Sequence, residues 1–429
     1  MNYEQTIKYF NSLNHFGINL GLKRIEYLLD LMGHPEKKYK TVHITGSNGK
    51  GSTAAMVSAI LSSSGIKTGL YISPHLIDYT ERISINEENI SREDFAFAVS
   101  YTKSFVEEML ERGLEHPTEF EILTAAAFYY FAISRVEYAV IEAGLGGLLD
   151  STNVLKQPQV SVITNVSLEH TDRCGNTIAE IAKNKAGIIK ENSCVITAAK
   201  NEALDIIKNI AHSKNNDILI YEEDFFSKSE ELPNNLDKKQ KINVSFKEGF
   251  SDTFCLNILG NYQLENSALA VATCHFLSEN ENRITTNTIR LGLENVKWPG
   301  RFEILSTSPL IIIDGAHNPA GAASLRKSLD LIAPKSPITF LIGILKDKDI
   351  KGIVKNLISS KDRVIIVPVN SERAASPDEI AREITVAKID IASSIEEGII
   401  LAKNSVSKDE ILCITGSLYL IGDIKKHLF

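Results

Sequence analysis

The residues best suited to chemistry form a glycine-rich segment that contains one lysine and two hydroxyl side chains near its end. The segment consists of Gly46, Ser47, Asn48, Gly49, Lys50, Gly51, Ser52 and Thr53. It follows the apolar run 42–44 and precedes an alanine-rich stretch of helical character. Glycines let a backbone curl around an anion, and the amino end of a helix attracts negative charge. The segment therefore predicts that backbone amides and Lys50 bind nucleotide phosphates, with magnesium held by Ser52 or Thr53.

The spacing of this segment differs from the general P-loop pattern. Two residues separate Gly46 from Gly49-Lys50, which is two fewer than the pattern has, and Gly51 stands where the pattern has Ser or Thr. An ordinary glycine-rich turn between a strand and a helix is the alternative. The lysine and the paired hydroxyls favour phosphate binding over that alternative.

The composition limits the classes of protein to which the chain can belong. Its 429 residues, 43% hydrophobic and 23% charged, are typical of two or three soluble globular domains. A net charge of -8 without a long basic stripe argues against nucleic-acid binding. An odd number of scattered cysteines, five in all, predicts reduced thiols, and no apolar run is long enough to cross a membrane. We therefore expect a cytoplasmic protein.

The sequence around the glycine-rich segment alternates between short apolar runs and longer helical patterns. The predicted strands are 41–45, 69–72, 138–141, 160–164 and 194–198. The predicted helices include 54–64, 121–133 and 178–189. Strands that alternate with helices predict a parallel sheet covered on both faces, here an α/β ATPase domain of the P-loop type.

The pattern changes in the second half of the chain. Residues 232–252 combine a polar stretch with alternating residues at 242–246, which predicts a small β insertion, and a helix is expected at 263–278. Trp298-Pro299-Gly300 is the predicted domain boundary, because Pro and Gly interrupt helices and strands. Strands then recur at 310–313, 338–342, 364–367 and 411–415. We therefore predict an ATP-binding domain over 1–298 and a smaller Rossmann-like α/β domain over 299–429.

Polar residues follow several predicted strands of the first domain, where open α/β sheets bind ligands. Glu142 ends an apolar strand and could bind magnesium beside the phosphates, although a solvated acid is the alternative. Ser73 offers a hydroxyl but lies in a Ser-Pro pair, which usually marks a turn. His170 could be a second metal ligand, and by itself a hydrogen-bonded structural histidine is the more common case.

Further candidates are a lysine and two polar groups of the second domain. Lys185 lies near a helix end among small and apolar residues, where desolvation would favour a neutral amine able to form a carbamate with carbon dioxide. A surface lysine is the alternative. Asp314 and His317 come together in the turn that follows an apolar strand. Arg301 could contact a phosphate, or it could form an ion pair between domains.

With these residues in place, the chain resembles the folylpolyglutamate synthase and dihydrofolate synthase family, a branch of the Mur ligase superfamily, over nearly its whole length. The family's loop Gly-Thr-Asn-Gly-Lys-Gly-Ser corresponds to residues 46–52. Further matches are Ser73 to Leu76, Glu81 to Ile83, Thr118 to Glu121, Gly144 to Gly147, Leu149-Asp150, Thr152-Asn153, Lys185 to Ile188, Trp298 to Arg301, Asp314 to Pro319 and Asp347 to Asp349.

The resemblance implies roles for the candidate residues. Ser73, Glu142 and His170, together with Ser52 of the loop, would hold magnesium, and Lys185 would be carbamylated. The residues that would approach ATP are Gln263, Asn266, Arg301, Asp314 and His317. Lys50, Lys185, Asp314 and His317 would carry the catalytic roles.

The implied reaction is ATP-dependent amide formation. A carboxylate of the folate substrate would take the γ-phosphoryl group of ATP, and the amine of L-glutamate would then displace phosphate from the acyl phosphate. The acceptor is expected to be dihydropteroate, a reduced folate, or both, and the sequence does not distinguish among these. The protein is expected to act as a monomer, without nucleic acid or membrane partners.

Four positions depart from the family pattern. Leu148 replaces an arginine, Asn184 a glutamate, Glu169 an aspartate and Tyr262 a histidine. Two rival functions are a ligase acting on a cell-wall precursor and a nucleotide-binding protein without catalysis. Only about 40 residues precede the phosphate segment, too few for the additional N-terminal domain expected of a cell-wall ligase. A non-catalytic relative should lack groups such as Lys50 and Glu142, which are present.

Overall fold

The computed structural model describes residues 1–13, 17, 19–231, 239–334 and 336–428. These residues divide into two compact units. The first comprises Met1–Phe226, Val244–Ser251 and Glu265–Asn295, and the smaller second unit comprises Ser227–Asn243, Asp252–Leu264 and Val296–Phe429. A larger and a smaller α/β unit confirm the predicted fold class. The boundary between residues 298 and 299 stays a prediction.

The first unit is built around an eight-stranded sheet with the strand order β4-β3-β2-β5-β1-β6-β7-β8. Its strands are β1 (Lys40–Thr45), β2 (Thr68–Tyr71), β3 (Ile83–Ile85), β4 (Glu88–Asn89), β5 (Tyr138–Glu142), β6 (Val160–Ile163), β7 (Cys194–Thr197) and β8 (Asp217–Ile220). The six neighbouring strands β2-β5-β1-β6-β7-β8 pair in parallel. Strands β3 and β4 extend the sheet beyond β2 by antiparallel pairing, which was not predicted from the sequence. Strand β5 is buried over its whole length, as expected for a strand covered on both faces.

Ten helices belong to the described part of the first unit, the ninth of them only in part. They are α1 (Tyr3–Leu13), α2 (Lys23–Leu31), α3 (Lys50–Ser63), α4 (Arg92–Glu111), α5 (Glu119–Ile133), α6 (Thr171–Cys174), α7 (Ile178–Lys185), α8 (Asn201–Ser213), α9 (Gln263–Ser278) and α10 (Thr286–Asn295). One core joins α1, α2, α4 and α5 to β5 through residues such as Phe95, Phe128 and Ile141. A second core joins α7 and α8 to β6 and β7.

Local sequence signals fix where several of these helices begin. Thr118 accepts a hydrogen bond from the backbone of Glu121, and the Glu121 side chain in turn accepts one from the Thr118 backbone. This reciprocal capping satisfies amides that have no partner inside the helix. Helix α3 begins at Lys50, four residues earlier than predicted, and ends just before Gly65 as predicted. The predicted helix 178–189 is α-helical only to Lys185 and continues as a short 3₁₀ turn.

The predicted β insertion is present as a three-stranded sheet of order β11-β10-β9. Its strands are β9 (Phe225–Glu231), β10 (Gln240–Phe246) and β11 (Ser251–Leu256), and their residues are divided between the two units. The polar stretch at 232–238, on which part of the prediction rested, lies outside the described residues.

The second unit contains a six-stranded sheet of order β12-β13-β17-β14-β15-β16. The strands are β12 (Glu303–Thr307), β13 (Leu310–Asp314), β14 (Ile338–Ile342), β15 (Arg363–Ile366), β16 (Lys388–Ile391) and β17 (Ile411–Thr415). The helices are α11 (Pro319–Ile332), α12 (Ile350–Leu357), α13 (Pro377–Glu383), α14 (Ile395–Ser405) and α15 (Leu418–Leu428). All pairs are parallel except β12 with β13. Among the described residues, no helix has the length and apolar character needed to span a bilayer.

Candidate active site

The glycine-rich segment connects the end of β1 to the start of α3, as its sequence predicted. Gly46 has φ +150° and Gly49 has φ +84°, which L side chains rarely adopt. A Cβ atom would lie 1.8 Å from Thr164 Oγ1 if added to Gly46, and 2.1 Å from Asn266 Oδ1 if added to Gly49. Only glycine fits at these two positions. The loop is therefore packed against the residues after β6 and against the start of α9.

The residues after β6 hold the first half of this loop. The amides of Ser47 and Asn48 donate to the backbone oxygen and to Oδ1 of Asn165, both at 2.9 Å. Thr164 Oγ1 donates to the Asn48 carbonyl at 2.6 Å. These two amides therefore already have partners in the protein. The backbone amides that we expect to donate to a phosphate are then those at the start of α3, because the first amides of a helix have no partner inside it.

Lys50, Ser52 and Thr53, the side chains expected to contact a phosphate and its metal ion, are half-buried or buried. Lys50 Nζ donates to the Gly46 carbonyl at 2.8 Å, so its charge lies over the loop. Ser52 is 3% exposed. Thr53 is fully buried, and within the described chain its Oγ1 has no hydrogen-bond partner. An unsatisfied buried hydroxyl is uncommon and is consistent with a polar ligand at this position.

The predicted metal ligands of the first unit lie at the carboxyl ends of neighbouring strands. Glu142 ends β5 and is paired in register with Ile44 of β1, just before the loop. Ser73 follows β2, the strand on the other side of β5, and its amide donates to Glu142 Oε2 at 3.1 Å. His170, with φ +45°, follows β6 and immediately precedes α6. The sheet thus brings Ser73 and Glu142 together at the carboxyl ends of its strands, while His170 lies farther along the loop that follows β6.

The chemistry of these donors fits magnesium in part. Hydroxyl and carboxylate oxygens such as those of Ser52, Ser73 and Glu142 are ligands that magnesium accepts, whereas imidazole suits softer metals better. Within the described residues there is no group of three or more His, Cys, Asp or Glu side chains able to hold a metal. A magnesium site here would therefore depend on the serine hydroxyls and on the nucleotide phosphates.

Lys185 is buried and ion-paired, so the alternative of a surface lysine is wrong. Its Nζ lies 2.7 Å from Glu169 Oε1, and the two side chains are 1% and 8% exposed. Burial lowers the pKa of Lys185, and Glu169 opposes that shift. Burial would raise the pKa of Glu169, but Lys185 and then Lys50 outweigh it and lower that pKa to about 2. Lys50, Lys185 and Glu169 thus act on one another electrostatically.

Two departures from the family pattern meet in the loop after β5. Asn184 Oδ1 accepts hydrogen bonds from the amides of Gly147, at 3.0 Å, and Leu148, at 3.4 Å. Leu148 itself is 49% exposed. Asn184 therefore holds the backbone of this loop with a neutral amide, and position 148 presents an apolar side chain instead of a charge.

The candidates of the second unit gather where β13 ends. Asp314 is buried, and its carboxylate accepts hydrogen bonds from Tyr262 and from the amides of Phe302 and Ala316. Burial raises the pKa of Asp314, and Tyr262 and Arg301 oppose the shift. His317 Nδ1 donates to the Gly315 carbonyl at 2.8 Å. The structure therefore places Asp314 and His317 in one turn, as the sequence predicted, and Arg301 lies against Gly315 of the same turn.

Gln263 and Asn266 lie at the start of α9 and are buried. The contact of Asn266 with the Gly49 position places it against the glycine-rich loop. Thr164, Asn165 and Glu265 were not predicted as site residues, although Thr164 and Asn165 hold the glycine-rich loop and Asn165 Nδ2 also donates to Glu265 Oε1 at 3.3 Å. The signal available for Thr164 and Asn165 was their position at the end of the predicted strand 160–164.

Comparison with known proteins agrees with this geometry. Residues 44–274 match the sequence model of the Mur ligase middle domain, and residues 302–427 match that of the dihydrofolate synthetase C-terminal domain.

Individual relatives identify the family more closely. The chain is 34% identical, over 99% of both sequences, to a dihydrofolate synthase/folylpolyglutamate synthase of Bacillus subtilis. The folylpolyglutamate synthase structure from Thermotoga maritima matches with a TM-score of 0.84 and 35% identity, covering 99% of this chain and 96% of that one. The structure of E. coli FolC with DHPP and ADP matches with a TM-score of 0.87 and 26% identity, covering 100% and 98%. The chain belongs to the dihydrofolate synthase/folylpolyglutamate synthase family.

Proposed function

We propose that the protein is an ATP-dependent amide ligase that joins L-glutamate to the carboxylate of a folate-type substrate. One observation carries the proposal: the loop of Lys50 and the carboxylate of Glu142 lie at the same end of adjacent parallel strands, β1 and β5. This is where open α/β sheets bind nucleotides and the groups that react with them. The family relationship and the match to a structure that contains ADP support the same function.

The proposed reaction has two steps. A carboxylate oxygen of the acceptor attacks the γ-phosphorus of ATP, the bond to ADP breaks, and an acyl phosphate forms. The glutamate amine then attacks the acyl carbon, loses a proton and expels phosphate. Lys50 would offset negative charge on the transferring phosphoryl group, and magnesium held by Ser52, Ser73, Glu142 and His170 would supply further positive charge.

The remaining residue roles are part of the same proposal. Residues 46–53 of the loop, with Gln263 and Asn266, would bind ATP, and Arg301, Asp314 and His317 of the second unit would act in the same reaction. Carbamylation of Lys185 is supported by the burial that lowers its pKa, because the neutral amine is the form that reacts with carbon dioxide. Labelling the protein with carbon-13 bicarbonate would reveal a carbamate by NMR, and Lys185→Arg would serve as control.

We also propose that residues 1–298 and 299–429 are the functional domains and that the protein acts as a monomer in the cytoplasm. The decisive experiment measures ATP- and glutamate-dependent product formation with dihydropteroate and with tetrahydrofolate in separate reactions. Product with either one supports the proposal and identifies the acceptor. Turnover of a cell-wall precursor alone, or no turnover with any acceptor, would refute it.

A further inference from the structure

Tyr262, which stands where the family pattern has a histidine, makes a short hydrogen bond inside the second unit. Its hydroxyl donates to Asp314 Oδ2 at 2.6 Å. Burial, and then the Asp314 carboxylate, raise the pKa of Tyr262 well above its ordinary value, so the hydroxyl keeps its proton and acts as the donor. A hydrogen bond of this length to a carboxylate belongs to the stronger class in proteins.

The Tyr262 hydroxyl is one of three hydrogen-bond donors to the Asp314 carboxylate. The Phe302 amide donates to the same oxygen, Oδ2, at 2.9 Å, and the Ala316 amide donates to Oδ1 at 2.9 Å. The three donors come from different segments: the residue before α9, the turn before β12 and the turn after β13. The carboxylate therefore joins these segments, and both of its oxygens are engaged.

The turn before β12 contains Arg301, and its backbone conformation is constrained. Phe302 adopts φ +46°, which is uncommon for a residue with a side chain, and the Gly315 amide donates to the Gly300 carbonyl at 2.9 Å. A Cβ atom on Gly315 would lie 2.0 Å from Arg301 Nη1. The guanidinium thus lies across the turn that Asp314 holds, within electrostatic reach of the carboxylate.

We propose that Tyr262 is a positioning residue for Arg301 and acts through Asp314. With the hydroxyl in place, Asp314 is satisfied by three neutral donors, and the guanidinium remains available to a phosphate. Without it, the carboxylate would lack a donor, and Arg301, whose charge already acts on this carboxylate, would be able to replace it. The inference rests on the proposed function, in which Arg301 serves the reaction with ATP.

The test compares Tyr262→Phe and Tyr262→His with the wild-type protein. Binding of a non-hydrolysable ATP analogue is measured by calorimetry, KM and kcat are measured in the ligation assay, and Tm is measured alongside. Tyr262→Phe should raise the analogue Kd and the KM for ATP about tenfold or more, as expected for loss of a hydrogen bond to a charged group. Tyr262→His should bind more tightly than Tyr262→Phe, because an imidazole N–H can also donate to Asp314.

Tyr39→Phe is the matched control. Tyr39 is another half-buried tyrosine, and its hydroxyl donates to the Phe128 carbonyl at 3.3 Å just before β1 starts. This variant should lower Tm and leave the analogue Kd unchanged. If Tyr262→Phe likewise lowers Tm but keeps Kd within about twofold of wild type, the hydroxyl has only a structural role and the inference is wrong.

A double-mutant cycle tests whether Tyr262 acts through Asp314. In an Asp314→Asn background, Tyr262→Phe should change Kd by less than about threefold, because the acceptor is already altered. An undiminished effect in that background would overturn the inference. Should Tyr262→Phe fail to fold, the comparison of Tyr262→His with Asp314→Asn decides: equal binding by both variants would overturn it. A wild-type protein that binds no nucleotide would refute the proposed function itself.

Discussion

Replacing Glu169 by glutamine should destabilise the protein strongly, because the residue is half of a buried ion pair. Lys185 Nζ and Glu169 Oε1 are 2.7 Å apart, and the side chains are 1% and 8% exposed. Coulomb's law with an effective dielectric constant of about 20 gives an attraction of about 6 kcal/mol at that distance, before desolvation is subtracted. Removing one partner of such a pair leaves the other charge buried, which typically costs about 3–5 kcal/mol.

The measurement is urea unfolding at pH 7, followed by circular dichroism without nucleotide, divalent metal or bicarbonate, so that Lys185 carries no carbamate and pairs with Glu169 as a cation. Glu223→Gln is the matched control, because Glu223 pairs with Lys208 at 3.0 Å while the two side chains are 50% and 29% exposed. That variant should lose less than about 1 kcal/mol. The double variant Glu169→Gln/Lys185→Met should be more stable than Glu169→Gln, since no buried charge remains unpaired.

The reasoning would be refuted if Glu169→Gln cost no more than Glu223→Gln. Equal costs would mean that water reaches the Glu169–Lys185 pair in solution. They would also remove the burial argument for a neutral Lys185 amine, because that argument depends on the same exclusion of water.

Three further predictions concern the loop and the strand before it. Lys50→Ala should abolish ATP-dependent phosphate release with an unchanged far-UV circular dichroism spectrum, and normal turnover would remove Lys50 from the mechanism. Gly49→Ala should weaken nucleotide binding at least about tenfold, because φ is +84° and the added carbon would lie 2.1 Å from Asn266 Oδ1. Calorimetry with an ATP analogue measures the affinity, and a wild-type value would contradict the prediction. The third prediction concerns His43, whose pKa is lowered to about 3 by burial and then by Lys190. On acidification, His43 of the unfolded chain binds a proton near pH 6.5, whereas His43 of the folded protein binds it only near pH 3. The free energy of unfolding should therefore decrease as the pH is lowered from 6.5 to 3. His43→Gln should reduce the slope of this free energy against pH by about 1.4 kcal/mol per pH unit between pH 6 and 4. An unchanged slope would show that His43 is not the titrating group.

Much of the local structure was predictable from pattern alone. The strands predicted at 41–45, 138–141 and 411–415 differ from β1, β5 and β17 by no more than one residue at either end. Buried parallel strands leave short apolar runs that a reader of the sequence can recognise. The starts of α7 and α9 were predicted correctly, whereas α3 begins at Lys50, inside the glycine-rich segment, where side-chain types favour a loop.

The contacts that organise the site were not predictable in this way. Asn165 reaches the loop from 117 residues away along the chain, and Lys185 finds its partner 16 residues earlier. Glu169 was noted only as a departure from a family pattern, and Asn165 was not noted at all. Such contacts depend on which strands become neighbours, and the alternation of strands and helices does not specify the order of strands in the sheet.

The sequence by itself determined the α/β class and the glycine-rich loop between β1 and α3, and through its motifs it identified the family, because these depend on residue types at short spacing. Only the tertiary structure decided that β1 lies between β5 and β6, which brings Glu142 and Asn165 to the two sides of that loop. It likewise decided that Lys185 is buried against Glu169 and that Tyr262 reaches Asp314. The physical reason is that burial and hydrogen bonding between distant residues arise when the whole sheet and its helices pack together, and a short window of sequence contains no record of that packing.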